Sequence, residues 1–442
     1  MDEQEDGQAE HHGRGADERQ SAGDVAEKAG RHRIGLGREF LKLWLGQSVS
    51  LLGNQFTQLA LPIAAAVTLH ATALEMGLLG AMRFAPAILV GLPAGVWLDR
   101  ARRKPVLVAS QVVSALALIT IPAAALVHVL SIGQLYAVAF VAGAAATVQG
   151  IALVAIVPTI AGRDRLVPAN TRIQTSLTVA NLLGPGAAGA AIQAFTAPLA
   201  IAFDAASFAI GALTSAWAHA DENIPPTAGG RHLSDALEGQ SWLWRQPLVR
   251  SIGLTLVINN AGTNVTFAVF VLYFVTRVGI TPAQLGIVFA VGGLSSLLGA
   301  RLSRPLVDRG WLGPVMAVGA GLVVIGQAGS LFAAYAPPAQ AFWILLVFSA
   351  VLGCSLMVYN VNQQSIRQAV TPDRLMGRVQ SGLFVLVAVA QVAGSLLGGA
   401  IGQVAGLRAA IGAGVLICLT SALPSVLSPL RRLTSVPAAA TG

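Results

Sequence analysis

The chain has 442 residues, 55% of them hydrophobic and 11% charged, with a mean hydropathy of +0.68. A soluble domain carries about 25% charged residues, so this balance excludes a soluble globular protein and puts most of the chain in lipid. The net charge of +8 and the pI near 10.3 do not signal nucleic-acid binding, because the basic residues sit in short loops between apolar runs and not on one face.

Residues 1–37 are acidic, rich in Gly, Gln and His, and lack an apolar stretch. They read as a disordered cytoplasmic tail, neither signal peptide nor span. A span needs about 20 mostly apolar residues. Six such runs follow, at 40–68, 74–98, 105–127, 132–160, 168–195 and 198–218. Residues 219–247 hold Asp221-Glu222, Pro225-Pro226 and an amphipathic piece from Ser234 to Trp244. This predicts a cytoplasmic linker with a short surface helix. Six more runs occupy 248–276, 282–302, 313–335, 339–366, 376–403 and 407–429, and a C-terminal tail covers 431–442. The chain is therefore expected to be all-α, with twelve transmembrane helices in two six-helix bundles at 38–218 and 248–430.

The halves repeat. Asp99-Arg100 follows one apolar run and Asp308-Arg309 another, 209 positions on. Leu166 and Leu375 share that offset, as do Gly189 and Gly398. Parallel repeats of apolar helices are a plan of secondary transporters. Orientation follows from Lys and Arg. Arg38, Lys42, the run from Arg100 to Lys104, Arg163, Arg165, Arg172, Arg245, Arg250, Arg301, Arg304, Arg309, Arg367, Arg374, Arg378 and Arg431-Arg432 all fall on one side of twelve spans. Only Arg277 and Arg408 fall on the other. Both termini are expected in the cytoplasm. Cys354 and Cys418 lie inside apolar runs as small core residues, and no metal or disulfide pattern exists.

Several phrases together carry a family resemblance. Gly95-Val96-Trp97-Leu98-Asp99-Arg100 runs into Arg102-Arg103-Lys104 between spans two and three. Trp44-Leu45-Gly46-Gln47-Ser48-Val49-Ser50-Leu51-Leu52-Gly53, Arg83-Phe84-Ala85-Pro86 and Arg165-Leu166-Val167-Pro168-Ala169-Asn170 follow one order. Leu183-Gly184-Pro185, Asp204-Ala205-Ala206-Ser207-Phe208 and Gly377-Arg378-Val379 continue it. The chain resembles the major facilitator superfamily past its tail. It is similar to the branch holding macrolide efflux proteins and the enterobactin exporter. The resemblance implies export across the cytoplasmic membrane by proton antiport. Span four carries none of the arginines common in the family's drug antiporters. Gly184-Pro185-Gly186-Ala187-Ala188-Gly189 matches the antiporter motif in part.

Intramembrane charges are functional candidates by default. Arg83, Glu75 and Asp204 lie inside spans, with Asp204 and Arg83 at similar depth. The expectation is that Asp204 pairs with Arg83, directly or through Glu75, as a proton-coupling switch or as a structural ion pair. Gly95, Asp99, Arg100 and Arg103, with Asp308 and Arg309, form an expected cytoplasmic latch, since a carboxylate at a helix end accepts from an arginine or a helix N-terminus. Polar faces mark the cavity: Gln47, Ser50, Asn54 and Gln58 in span one, Gln174, Thr178 and Asn181 in span five, and Asn260 and Asn264 in span seven. Phe267, Tyr273 and Tyr359 add stacking surface. Such a cavity suits an amphipathic, neutral or mildly cationic solute. The glycines of spans five and eleven (Gly184, Gly186, Gly189, Gly394, Gly398, Gly399) are expected to form a rocking seam.

No GxxxxGK[ST] phosphate loop exists, and no His clusters with acids at motif spacing, so neither an ATP-driven pump nor a membrane enzyme is expected. The expected partners are the bilayer, a small molecule and protons, with no cofactor and no nucleic acid, in a monomer. A facilitator, an importer and a non-transporting sensor stay open as alternatives.

Overall fold

Pro198, Pro247, Pro282 and Pro338 each stand in the first turn of a helix, where the missing N–H is harmless and the fixed φ suits the helix. A computed structural model describes residues 37–98, 101–220, 222, 233–435 and 437. The first half holds α1 (Arg38–Ile63), α2 (Ala73–Leu98), α3 (Arg103–Leu126), α4 (Ile132–Ala161), α5 (Leu166–Phe195) and α6 (Ala197–Trp217). A linker helix α7 (Leu233–Arg245) leads to α8 (Pro247–Tyr273), α9 (Pro282–Asp308) and α10 (Leu312–Tyr335). α11 (Pro338–Val370), α12 (Asp373–Val404) and α13 (Leu407–Leu427) complete the second half. Among the described residues there is no strand.

Ten of these helices are long and apolar enough to cross a membrane. The other two long helices, α1 and α5, have the length, but their polar side chains lower the mean. The protein is an all-α, multi-pass membrane protein. The predicted tail, together with Asp99, Arg100 and much of the linker, lies outside the described residues.

Each half repeats one arrangement. α1 packs along α5 and α6 as α8 packs along α12 and α13. The halves meet where α2 lies against α12 and α5 against α9. The repeat reaches local detail at the end away from the basic loops. A π-helical turn at Ala64–Thr68 ends α1, and one at Phe274–Val278 ends α8. His70 and Gly279 follow with φ of 52° and 81°. Thr72 and Glu75 then open α2 with reciprocal bonds: Thr72 N–H donates to Glu75 Oε2 at 2.7 Å, and Glu75 N–H to Thr72 Oγ1 at 3.3 Å. Thr281 and Gln284 open α9 the same way, at 2.9 and 3.2 Å. Both are capping boxes.

Two glycine crossings join the halves at this end. A Cβ on Gly77 would lie 2.8 Å from Gly399 Cα, and one on Gly189 would lie 3.0 Å from Gly286 Cα. Small residues permit such close approach. Of the six seam glycines, Gly189 and Gly399 sit in these crossings and Gly186 faces Ala290 of α9. Gly184 faces Gln55 of α1, and Gly394 and Gly398 face Ala261 and Val265 of α8, so these three pack helices within one half.

One large apolar core spans both halves at the same end, including Leu59, Ile63, Met76, Phe270, Phe274 and Leu285. At the basic end the clusters are separate. Leu43, Leu107 and Ile156 belong to the first half, and Ile252, Met316 and Ile366 to the second. The molecule is sealed at one end and divided at the other.

Candidate functional site

The polar stripes that set α1 and α5 apart border the space between the halves. Asn170, Thr171, Gln174, Thr175 and Thr178 of α5, with Leu297 of α9, line a cavity of about 660 Å³. Asn54 and Gln58 of α1 and Asn181 of α5 are exposed. Gln55 Nε2 donates to Asn181 Oδ1 at 2.8 Å and ties α1 to α5. The second half has a matching tie, with Gln391 Nε2 of α12 donating to Asn260 Oδ1 of α8 at 3.2 Å. A further hollow of about 260 Å³ there is lined by Thr255, Asn259, Asn260, Thr263, Gln327 and Tyr359. Gln327 Nε2 donates to Thr263 Oγ1 at 2.6 Å. Both linings are uncharged, and in both the amides and hydroxyls are set among apolar side chains, Val179 and Leu182 in the larger hollow and Leu256, Val323, Leu352 and Leu356 in the smaller.

Other predicted cavity residues sit elsewhere. Gln47 and Ser50 are buried between helices. Gln47 Oε1 accepts from Gln149 Nε2 of α4 at 3.1 Å, and Ser50 Oγ donates to Ser207 O of α6 at 3.2 Å. Asn264 is buried too, its Nδ2 donating to Asn260 O at 2.9 Å. Helical spacing sets one direction, and a partner on a neighbouring helix turns part of the stripe inward. Of the aromatics, Tyr359 borders the smaller hollow, Tyr273 is buried at the sealed end, and Phe267 stacks against Phe270.

Asp204 and Arg367 are the only buried charged side chains among the described residues. Asp204 is fully buried in α6. Ser207 Oγ donates to its Oδ1 at 3.2 Å, and Oδ2 has no hydrogen-bond partner. Gly53 of α1 packs on this pair, because a Cβ there would lie 2.7 Å from Asp204 Oδ1. The Thr57 hydroxyl faces the Asp204 carboxylate. Among the described residues Gln47 Nε2, both side-chain polar atoms of Gln111, and the hydroxyls of Ser114 and Ser215 are buried without partners on α1, α3 and α6, as are Thr266 Oγ1 and Gln363 Oε1 in the second half.

The direct contact expected between Asp204 and Arg83 does not form, but the two charges lie near enough to act on each other. No ion pair joins Asp204 to Arg83 among the described residues, and the Arg83 guanidinium lies 5.6 Å from the Phe84 ring centroid. Glu75 stands in the cap of α2, where its Oε2 accepts from the Thr72 N–H and hydroxyl, and it makes no ion pair with Arg83 among the described residues. Arg367 escaped sequence reasoning because α11 runs on to Val370, past the expected limit at 366. It stands in the last turn of α11, where the helix dipole favours a cation.

The sequence profile of the Major Facilitator Superfamily matches residues 43–388 and 252–441. The chain belongs to the Major Facilitator Superfamily. It is a transporter-family protein and not an enzyme. The chain is 27% identical over 374 residues to the multidrug efflux pump Tap of Mycolicibacterium fortuitum, across 81% of this chain and 87% of Tap. It is 25% identical over 409 residues to the enterobactin exporter EntS of Escherichia coli, across 90% of this chain and 94% of EntS. Its fold is shared with a bacterial homologue of the iron transporter ferroportin in an inward-facing state. That match has a TM-score of 0.68 at 15% identity, over 89% of this chain and 99% of that one.

The basic end holds the described residues of the expected latch. Gly95 lies in the last turn of α2. Glu222, absent from the sequence-based site, accepts from the backbone N–H of Arg103 and, at 2.7 Å, of Lys104. A carboxylate thus caps the N-terminus of α3. Arg103 Nη1 donates to Ala155 O at 3.2 Å, inside the same half. In the second half Asp308 Oδ2 lies 4.0 Å from Arg304 Nε, both exposed, and Arg309 is exposed. Among the described residues, none of Arg103, Asp308 and Arg309 bonds across the halves in this state. The linker helix docks on the second half. Leu243 is fully buried beside Val249, Leu375 and Val379, and Glu238 accepts from Arg374 Nη1 at 3.2 Å and from Arg378.

Proposed function

We propose that this protein exports a small amphipathic molecule across the cytoplasmic membrane by alternating access, exchanging it for protons. The observation carrying this reading is the contrast between the two ends. An apolar core and two glycine crossings close one end, and an uncharged, hydrogen-bonding cavity opens toward the basic loops. Basic loops face the cytoplasm by the positive-inside rule, so the cavity admits solute from that side and both termini are cytoplasmic. The named roles of Tap and EntS support the outward direction. A neutral or mildly cationic solute fits a lining of amides and hydroxyls. Asp204 is the proton carrier in this reading, because it is the one carboxylate buried among the described residues. The signature loop then acts as the cytoplasmic latch when that end closes.

Everted vesicles, acidic inside and carrying a pH-sensitive dye, test this with macrolides, cationic dyes and siderophore-like compounds. A compound that dissipates the gradient through wild type and not through Asp204→Asn is the expected result. Equal proton flux in both proteins refutes the role of Asp204. Compound movement without proton flux makes the protein a facilitator.

A further inference from the structure

Arg277 and Arg408, the two arginines at the sealed end, have no part in the cavity or around Asp204. Both line one hollow of about 890 Å³ at the sealed end, with His70, Thr72, Thr276 and Gln403. No carboxylate lines it. Glu75 opens α2 beside it, its Oε2 held by the Thr72 N–H and hydroxyl, and its one negative charge leaves the two arginines in excess. Arg408 is fixed from behind. Its Nε donates to the Tyr273 hydroxyl at 2.7 Å, that hydroxyl donates to Ala334 O at 2.7 Å, and the guanidinium lies 5.0 Å from the Tyr335 ring centroid. Among the described residues the terminal nitrogens of Arg408 and the whole guanidinium of Arg277 make no hydrogen bond or ion pair.

A concave site with cations and no acid focuses a positive field. A guanidinium held in place presents a fork that matches a carboxylate or phosphate. The hollow is also shared between the halves: His70 and Thr72 come from the first, and Arg277, Gln403 and Arg408 from the second. Any motion that parts α2 from α12 pulls these groups away from one another. We infer that this hollow binds an anionic group, a carboxylate or a phosphate, and that its occupancy holds the sealed end shut. A ligand with partners on both halves binds the sealed state better, and that differential affinity shifts the equilibrium toward it. The group can arrive on a soluble anion or on an anionic lipid headgroup, and the chemistry of recognition is the same.

The test needs no transport substrate. The unfolding temperature of the full-length protein in neutral detergent is followed against citrate, inorganic phosphate and short-chain phosphatidylglycerol, with chloride at matched ionic strength as baseline. The expected result is a saturable rise with at least one of these, its apparent affinity weakened about tenfold or more in Arg277→Gln. Arg277 makes no contact whose loss would disturb the fold. Arg408→Gln also removes the Tyr273 bond, so Arg277→Gln decides. Response to citrate or phosphate assigns a soluble anion, and response to phosphatidylglycerol alone assigns a headgroup. No saturable rise, or an equal rise in Arg277→Gln, overturns the site. Thiol labelling of Thr175→Cys in the open cavity, in a background lacking Cys354 and Cys418, should speed up with the anion. A stabilising anion that leaves labelling unchanged overturns the claim that occupancy holds the seal.

Discussion

Gly77→Ala should open the sealed end. A Cβ at this position would lie 2.6 Å from Ser395 O and 2.8 Å from Gly399 Cα. Both neighbours are backbone, so relief requires α2 and α12 to move apart. Overpacking of this kind costs ~1–3 kcal/mol, which corresponds to a ~5- to 150-fold fall in the ratio of sealed to open protein. Gly286→Ala acts at the other crossing, where the Cβ would lie 2.5 Å from Pro185 O and 3.1 Å from Gly189 Cα. The double variant should shift further. Spin labels at His128→Cys in the first half and Pro337→Cys in the second, in a background lacking Cys354 and Cys418, report the separation of the halves at this end. The expected change is a longer-distance population that is minor in the parent and grows in each variant. Gly321→Ala, with nothing within 4 Å of its Cβ, is the control and should leave the distribution unchanged. If the Gly77→Ala and double-variant distributions overlay the parent's in folded protein, the glycine crossings do not form the seal.

Glu75→Ala should lower stability by about 1 kcal/mol through loss of the reciprocal cap. Glu75→Gln, which copies Gln284 of the second half, should retain most of it, as read by thermal unfolding; equal damage from both would mean that the carboxylate does more than cap. For the linker helix, Glu238→Gln should change stability by less than about 1 kcal/mol, because that ion pair is partly exposed. Leu243→Ala, at a fully buried site, should cost ~2–5 kcal/mol and expose the linker to limited proteolysis. Gln149→Leu leaves Gln47 Oε1 buried without its donor and should destabilise by ~1–3 kcal/mol, measured by denaturation in detergent.

The twelve spans were legible because lipid demands long apolar runs, and α1 and α5 were legible in spite of their polar stripes because loops of charge, Pro and Gly bound them. Register along a helix was legible as well, and it set Asp204 and Arg83 at one depth. Facing was not: each residue turns 100° about its axis, and which neighbour lies in that direction depends on packing. This is why the Asp204 and Arg83 charges act on each other without a direct contact, and why Gln47 turns toward Gln149. Glu75 could have been read correctly from Thr-x-x-Glu ahead of an apolar run, a helix-start signal that accounts for its charge. Gly77 and Gly286 also carried a signal, for they stand 209 positions apart in the repeat already marked by Asp99 and Asp308. Arg367 offered none, since a basic residue one position past an apolar run looks like a loop anchor.

What the repeat keeps and what it drops separates scaffold from chemistry. Thr72 and Glu75 recur as Thr281 and Gln284, Gly77 as Gly286, and Gly53 as Gly262, each at the 209-residue offset. Every one of them shapes backbone: two cap helices, one lets the halves touch, and one lets the first helix of each half lie against its last. Gly53 packs on Asp204 and Ser207 of α6, and Gly262 packs on Gly414 and Cys418 of α13. At the same offset Asp204 meets Ala413, Arg83 meets Gly292, and Gln47 meets Leu256. A carboxylate and an arginine inside lipid-embedded helices are expensive, and the second half shows that the same scaffold stands without them at those positions. Their presence in the first half therefore is not a requirement of the fold. The buried polar atoms without partners on α1, α3 and α6 gather on that side too. In the proposed reading, this asymmetry on a symmetric frame assigns the proton step to the first half, while both halves line the cavity and the second holds the linker helix.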